Sequence, residues 1–262
     1  MSNHPLVDSY SYPTLKNLGL EDNEKLIIMG PCAVESMEQL DVIAKFLKEN
    51  GIKFFRAGAF KPRTSVYDFH GLGIKGLTML QEIKKKYGLK IVTEITSTEY
   101  LHEMLEFADI IQVGARNMQN FELLKKLGTL SKPILLKRGF GNTLEEFLCA
   151  AEYILKGGNQ NLILCERGVR TFDPATRNIL DLGAVAIIKS HYQIPIITDP
   201  SHAMGHSELV LPLSLASFSV QADGIIVEVH NDPKLALSDG EQALTLEQAK
   251  VLIEELKKHQ YL

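Results

Sequence analysis

The chain has 262 residues, 45% hydrophobic and 23% charged, with a formal net charge of -4 and three cysteines. The length excludes a minimal disulfide-stapled domain and is about that of one α/β barrel, while the acidic balance excludes nucleic-acid binding driven by general phosphate neutralisation. Cys32, Cys149 and Cys165 are too widely spaced for a disulfide framework and point to a reducing cytoplasm; no apolar run reaches membrane-spanning length, and the polar start MSNHPLVDSYSYPTLKN lacks a signal-peptide core.

Residues 1–24 are too few for a domain and read as an N-terminal extension, a small cap or an oligomer contact. From residue 25 to 262 short apolar runs alternate with longer amphipathic ones. The predicted strands are KLIIMG (25–30), KFFRAG (53–58), KIVTEI (90–95), IIQVGA (110–115), PILLKR (133–138), NLILCER (161–167), PIITDP (195–200) and GIIVEVH (224–230). Helical periodicity fills the gaps, as in MEQLDVIAKFLKEN and LEEFLCAAEYILKGG. Ser36 with Gln39, Thr143 with Glu146 and Thr245 with Gln248 fit capping boxes, and Asp173 followed by Pro174 fits a helix start. Nearly all-apolar strands, each followed by a helix, indicate a parallel sheet buried on both faces. Eight such units predict a (β/α)8 TIM barrel; the open doubly wound sheet is the rival, weakened by the lack of GxGxxG after the first strand. Cys149, mid-helix, and Cys165, mid-strand, read as packing residues.

Barrel chemistry gathers at the C-terminal ends of strands. In chain order those positions offer Cys32 and Glu35; Arg56 and KPRTS; Glu94; Arg116; Lys137 and Arg138; Glu166 and Arg167; Asp199 and His202; Glu228 and His230, with Asp239 beyond. The stretch AGAFKPRTSVYDFHGLG puts Lys61, Pro62, Arg63, Thr64 and Ser65 in one glycine-bracketed loop, a preorganised anion site suited to a phosphate. Arg56, Lys61, Arg63, Arg116, Lys137 and Arg167 would together hold a ligand with several negative charges, with some pairing structurally to Glu94, Glu166 or Asp199. Alternation turns Arg138 away from Lys137 and into that structural role. Cys32, His202, Glu228 and Asp239 form a mixed thiolate, imidazole and carboxylate set suited to Mn2+, Fe2+, Co2+ or Zn2+. His230 is read as a supporting or structural residue.

The motifs GPCAVES, FRAGAFKPRTS, TEITS, IIQVGARNMQNFELL, LLKRGFGNT, ILCERGVRTF, ITDPSHAMG and IIVEVH…ALSDGEQ resemble the 3-deoxy-D-arabino-heptulosonate 7-phosphate (DAHP) synthases, type I β, from about residue 20 to the end. The resemblance implies a metal-dependent barrel that condenses phosphoenolpyruvate with erythrose 4-phosphate, the first step of the shikimate pathway. It implies one divalent ion per subunit, Mn2+ foremost, on Cys32, His202, Glu228 and Asp239. Phosphoenolpyruvate would meet Arg56, Lys61, Arg116, Lys137, Arg167 and the Ala115 amide. Erythrose 4-phosphate would meet KPRTS through Pro62, Arg63, Thr64 and Ser65, with His202 and Asp239 near the reacting end. Lys61 is the implied proton donor, and a water near Glu94, Lys137 or the metal the nucleophile. A homodimer or homotetramer is expected, without nucleic-acid or membrane partners. The 24 leading residues are too few for the regulatory domains of larger relatives, so feedback through such a domain is not expected. The sister family, 3-deoxy-D-manno-octulosonate 8-phosphate synthase, is the alternative, disfavoured because KPRTS stands where a KANRS-like loop is expected. A Schiff-base aldolase using Lys137 and a non-catalytic phosphometabolite-binding barrel are the remaining rivals.

Overall fold

The computed structural model describes residues 4–22, 24–63 and 65–262, so Thr64 lies outside the described residues. Two short helices, α1 (Pro5–Asp8) and α2 (Thr14–Asn17), come first. The strands are β1 (Leu26–Gly30), β2 (Phe54–Arg56), β3 (Lys90–Ile95), β4 (Ile110–Val113), β5 (Ile134–Lys137), β6 (Leu162–Glu166), β7 (Ile196–Thr198) and β8 (Gly224–Glu228). The helices between and after them are α3 (Met37–Glu49), α4 (Ile74–Tyr87), α5 (Leu101–Phe107), α6 (Phe121–Gly128), α7 (Leu144–Lys156), α8 (Leu182–His191), α9 (Pro200–Met204), α10 (Val210–Ser219) and α11 (Leu246–Lys258). All strand neighbours are parallel and in chain order, and β8 pairs back onto β1. The predicted (β/α)8 barrel is therefore the fold, and each predicted apolar run supplies one strand.

Two apolar layers share these strands because successive side chains point to opposite faces. Leu26, Ile28, Phe54, Val92, Ile110, Leu135, Ile163, Cys165, Ile197 and Ile226 fill the lumen. Their neighbours, such as Ile27, Met29, Phe55, Ile91, Ile111 and Leu136, form the outer layer against the helices. Cys165 is thus a packing residue, as expected. Leu15, Leu18 and Leu20 join the lumen cluster from below, and the Lys90 ammonium donates to the Leu18 carbonyl. The segment around α1 is tied to α7, where Glu152 accepts from the Leu6 and Val7 amides at 2.9 and 2.8 Å. The leading residues thus pack across the floor of the lumen and against α7.

Thr143 and Thr245 form the predicted reciprocal capping boxes. Ser36 forms half of one: its hydroxyl accepts from the Gln39 amide, but the Gln39 side chain takes the Glu35 amide instead, at 3.1 Å. It does so while lying 3.0 Å from His230, which draws it off the Ser36 backbone. Asp173–Pro174 does not begin a helix. Asp173 accepts from the Ala175 amide in a local turn, and the segment is held by the Val169–Ile179 bridge. The residues after Pro174 lack an apolar stripe, and the helix begins later, capped by Asp181. Cys149 also differs from expectation: it is exposed. α7 buries Phe147, Leu148, Ala150, Ala151, Ile154 and Leu155, which leaves Cys149 on the outer face beside Glu145 and the buried His4. Among the described residues, no helix is long and apolar enough to cross a membrane.

Truncating Leu20→Ala opens a cavity at the floor of the lumen. The expected loss is ~2–5 kcal/mol of unfolding free energy, measured by urea denaturation.

Candidate active site

The lumen changes character along its length with a period of two. Phe54 leads to Arg56, Val92 to Glu94, Ile110 to Gln112, Leu135 to Lys137, Cys165 to Arg167, Ile197 to Asp199 and Ile226 to Glu228. Each polar residue shares the inward face of the apolar residue two positions earlier, so strand parity alone delivers a polar ring above an apolar floor. Residues of the opposite parity turn outward. Arg138 does so, and its Nη1 contacts Glu166 at 2.9 Å and Asp181 at 3.0 Å. The structural role expected for Arg138 holds, and Glu166 joins it.

Cys32, His202, Glu228 and Asp239 converge, with one ligand atom from each lying within 4.8 Å of the others. The Cys32 thiol donates to Asp239 Oδ2 at 3.1 Å, and Lys61 Nζ lies 2.9 Å from its sulfur. Burial, with Glu228 adding to it, pushes that thiol up to about 12. Gly30 leads into Cys32 at φ +148°, where a Cβ would strike the Arg56 backbone. Asp239 is in the left-handed region at φ 51°, a conformation Asp tolerates better than most residues. Burial opposes the charge of Asp239, but His202 and Lys61 outweigh it and hold the carboxyl below its ordinary value.

Asp199 is the fully buried hinge of this cluster. It caps α9 by accepting from the His202 amide at 3.0 Å, pairs with Lys137, and lies 2.7 Å from His202 Nδ1, off the line of a good hydrogen bond. Burial works against its charge, but His202, Lys137 and Arg56 hold its carboxyl well below the usual range. Burial lowers the His202 pKa against the opposing pull of Asp199 and Glu228. With the Asp199 carboxylate facing Nδ1, the proton belongs there, and the Nε2 lone pair faces Glu228 Oε1 at 3.3 Å.

Glu228 tests whether the set fits an ion. Its Oε2 accepts from Gln242 Nε2 at 2.5 Å, whereas its fully buried Oε1 has no hydrogen bond, although Arg56 Nη2 lies 3.1 Å away. A buried carboxylate oxygen left in this way lacks a partner that a divalent cation supplies. Thiol, imidazole and carboxylate donors within this span suit one such ion at metal–ligand distances of about 2.0–2.3 Å. The residues fit.

Beside the cluster opens a cavity of about 260 Å³. Of the predicted residues, Lys61, Pro62, Arg63, Glu94, Ala115, Arg116, Lys137, Arg167, His202 and Asp239 line it. Arg56 is buried against Glu228 rather than lining it. The Ser65 hydroxyl accepts from the Tyr67 amide at 3.2 Å. Arg63 Nε reaches Asp68 at 3.2 Å, and its Nη1 lies 3.8 Å from Asp239. Buried guanidinium nitrogens of Arg56 (Nε, Nη1) and Arg167 (Nη1) have no hydrogen-bond partner in the protein. The Lys61 ammonium is opposed by burial, but Cys32, Glu94 and Glu228 around it raise its pKa.

Several lining residues were missed in the sequence. Gln112 donates to Glu94 Oε2 at 2.9 Å, and a side chain at Gly114 would collide with that carboxylate. Gln112 carries the inward parity of Ile110, which was the available signal. The Phe140 ring lies 5.5, 5.3 and 4.9 Å from the guanidinium carbons of Arg116, Arg167 and Arg170. It thereby spaces like charges by cation–π contact. Its signal was an aromatic between Gly139 and Gly141. Arg177 and Asp68, which also line it, and Gln242, which lies outside it against Glu228, carried no periodic signal. His230 is structural: its Nδ1 accepts from the Asp232 amide at 3.0 Å, and Nε2 faces Gln39 and Glu35.

Residues 16–261 match the DAHP synthetase I family. The phospho-2-dehydro-3-deoxyheptonate aldolase of Thermotoga maritima is 57% identical over 232 residues, covering 88% of this chain and 69% of the relative. A 2-dehydro-3-deoxyphosphooctonate aldolase of Geobacter sulfurreducens is 31% identical, covering 90% of this chain and 92% of its own. The crystal structure of the Thermotoga maritima DAHP synthase superposes with a TM-score of 0.88 at 54% identity, over 91% of this chain and 70% of that one. A truncated form of the Thermotoga maritima 3-deoxy-D-arabino-heptulosonate 7-phosphate synthase gives 0.84 at 52% identity, over 91% and 87%.

Two outcomes check the assignments made outside the cavity. Arg138→Ala strands Glu166 and Asp181 and is expected to cost ~3–5 kcal/mol in denaturant titrations. A maleimide applied to the folded protein is expected to label the exposed Cys149 and to spare the buried Cys165, as read by peptide mass spectrometry.

Proposed function

The chain belongs to the DAHP synthetase I family and carries DAHP synthase activity, and from that premise we propose which residues condense phosphoenolpyruvate with erythrose 4-phosphate and water. The observation that carries the assignment is the buried, unpartnered Nη1 of Arg167, a residue that lines a cavity flanked by a Cys/His/Glu/Asp cluster, with unpartnered nitrogens of Arg56 buried beneath it. Buried donors without acceptors suit an anion that brings its own oxygens. Arg116, Lys137 and Arg167, with the Ala115 amide, line the cavity and hold phosphoenolpyruvate, while Arg56, buried against Glu228, backs the site from beneath. Arg63 and Pro62, with Thr64 and Ser65 from the same loop, hold the aldose phosphate.

Cys32, His202, Glu228 and Asp239 would hold one divalent ion per subunit, Mn2+ foremost, which when bound supplies Lewis-acid polarisation of an aldehyde. The cations of the cavity align the two substrates and neutralise their charge. C3 of phosphoenolpyruvate forms a bond to the aldehyde carbon. Lys61 Nζ, which lines the cavity, gives a proton to the aldehyde oxygen as it becomes an alkoxide. Water adds its oxygen to C2, and the C2–O bond to the phosphoryl group then breaks with its electron pair going to the departing phosphate, which takes the proton of the new C2 hydroxyl and leaves the C2 ketone. Glu94, held by Gln112, flanks the cavity and can take the water's proton, while Lys137, held as an ammonium by Asp199, can orient that water. Asp199 keeps Lys137 and His202 in place throughout.

We read residues 25–262 as the catalytic barrel, working in the cytoplasm as a homodimer or homotetramer. Phosphoenolpyruvate consumption tests the reading, with erythrose 4-phosphate or arabinose 5-phosphate as acceptor, each with Mn2+ and with EDTA. Turnover of the four-carbon sugar that EDTA abolishes is expected; preference for arabinose 5-phosphate would overturn the substrate assignment. Cys32→Ala is expected to lose both bound metal and activity. Arg63→Ala is expected to raise KM for erythrose 4-phosphate about 10-fold or more, with little change in KM for phosphoenolpyruvate.

A further inference from the structure

We propose that Gln242 is a positioning residue that occupies one oxygen of Glu228 and so presents the other as a single-oxygen metal ligand. The inference rests on the metal reading above and goes beyond the ligand set. Gln242 follows Asp239 by three positions in the turn after β8, and only 2% of it is exposed. Both ends of its amide are engaged. Nε2 donates to Glu228 Oε2 at 2.5 Å, and Oε1 accepts from Arg177 Nη1 at 2.7 Å.

The direction of that amide is set by chemistry. A guanidinium only donates and a carboxylate only accepts, so the amide oxygen must face Arg177 and the amide nitrogen Glu228. Reversing it would put two donors together at one end and two acceptors at the other. The same Arg177 nitrogen lies 3.4 Å from Asp239 Oδ1. One guanidinium therefore braces a ligand, Asp239, directly and a second ligand, Glu228, through Gln242.

The consequence falls on Glu228. Its backbone is fixed by Ser201 Oγ, which accepts from the Glu228 amide at 3.0 Å, and by its carbonyl, which accepts from the Leu244 amide at 2.8 Å. With Oε2 held by Gln242, side-chain rotation is stopped, and Oε1 is left facing His202 Nε2. Without Gln242 the carboxylate could swing both oxygens toward Arg56, whose Nη2 already lies 3.1 Å from Oε1, and the ligand would be spent in an ion pair. Partners behind a ligand commonly set metal affinity in this way.

The test is a Mn2+ titration of metal-stripped protein, with free Mn2+ followed by electron paramagnetic resonance, on the wild type, Gln242→Met and Cys32→Ser. Gln242→Met keeps length and removes both hydrogen bonds. The expected result is Mn2+ binding weakened by about 10- to 100-fold. At saturating Mn2+, KM for phosphoenolpyruvate is expected within about 3-fold of wild type, since the substrate contacts remain. A merely structural role would lower kcat or thermal stability without moving the Mn2+ dissociation constant, and a constant within about 2-fold of wild type overturns the inference. If Gln242→Met fails to fold, Arg177→Met reports on the same brace: weakening of about 3- to 10-fold supports the proposal, and none overturns it. Cys32→Ser separates the two levels. If it binds Mn2+ as the wild type does, the metal reading itself fails and the inference with it. If it loses Mn2+ while neither brace variant changes affinity, only the inference fails.

Discussion

Strand parity is the constraint on which the rest of this molecule depends. In a closed barrel a side chain points either into the lumen or out to the helices, and the choice repeats every second residue. Phe54, Val92, Leu135 and Ile226 are bound by packing to face inward. Arg56, Glu94, Lys137 and Glu228 are then bound to do the same. The apolar floor and the ionic ring are not independent designs, because one register sets both. Arg138 and Glu166 show the converse, pairing with each other on the outward face.

Such a ring is stable only if its charges are mutually satisfied where no ligand is meant to reach them. Asp199 meets Lys137 and His202, and Glu94 meets Gln112. The Lys137–Asp199 and Gln112–Glu94 contacts hold groups in place by consuming their hydrogen-bonding capacity. What they leave over is informative: Glu228 Oε1 among the acceptors, and nitrogens of Arg56 and Arg167 among the donors. The leftover acceptor is at the metal-ligand cluster and the leftover donors belong to the predicted anion-binding arginines. The protein is thereby divided into a cation-seeking corner and an anion-seeking wall.

How much of this the sequence revealed follows from where periodicity operates. Eight apolar runs and their end residues were legible because parity is a property of the chain itself, and so was the turning away of Arg138. Thr143 and Thr245 were legible because a capping box is local. Arg177 and Gln242 were not, since their roles arise from two loops that approach each other across about 65 residues of sequence with no repeat to announce it. Asp173 misled because an Asp followed by Pro suits a tight turn as well as a helix start. Cys149 misled because a small thiol fits either face of α7, and the surrounding alanines and leucines already filled the buried one. Arg56 fell between the two cases: its parity was right, yet the strand ends below the cavity, so Glu228 reaches it first.

The seam between β1 and β8 has a meaning in time as well as in space. Leu26 pairs with Gly224, so the two strands that shut the barrel are nearly the whole chain apart. Leu18 and Leu20 reach their full seat only against a lumen that includes Ile197 and Ile226. As the chain is synthesised, the residues that plug the floor emerge first and wait for the last walls to arrive. Contacts of such long separation make closure a late, slow event. Cys32 and Glu228 stand on either side of that same seam, so the candidate metal-binding cluster is completed only when the circle is.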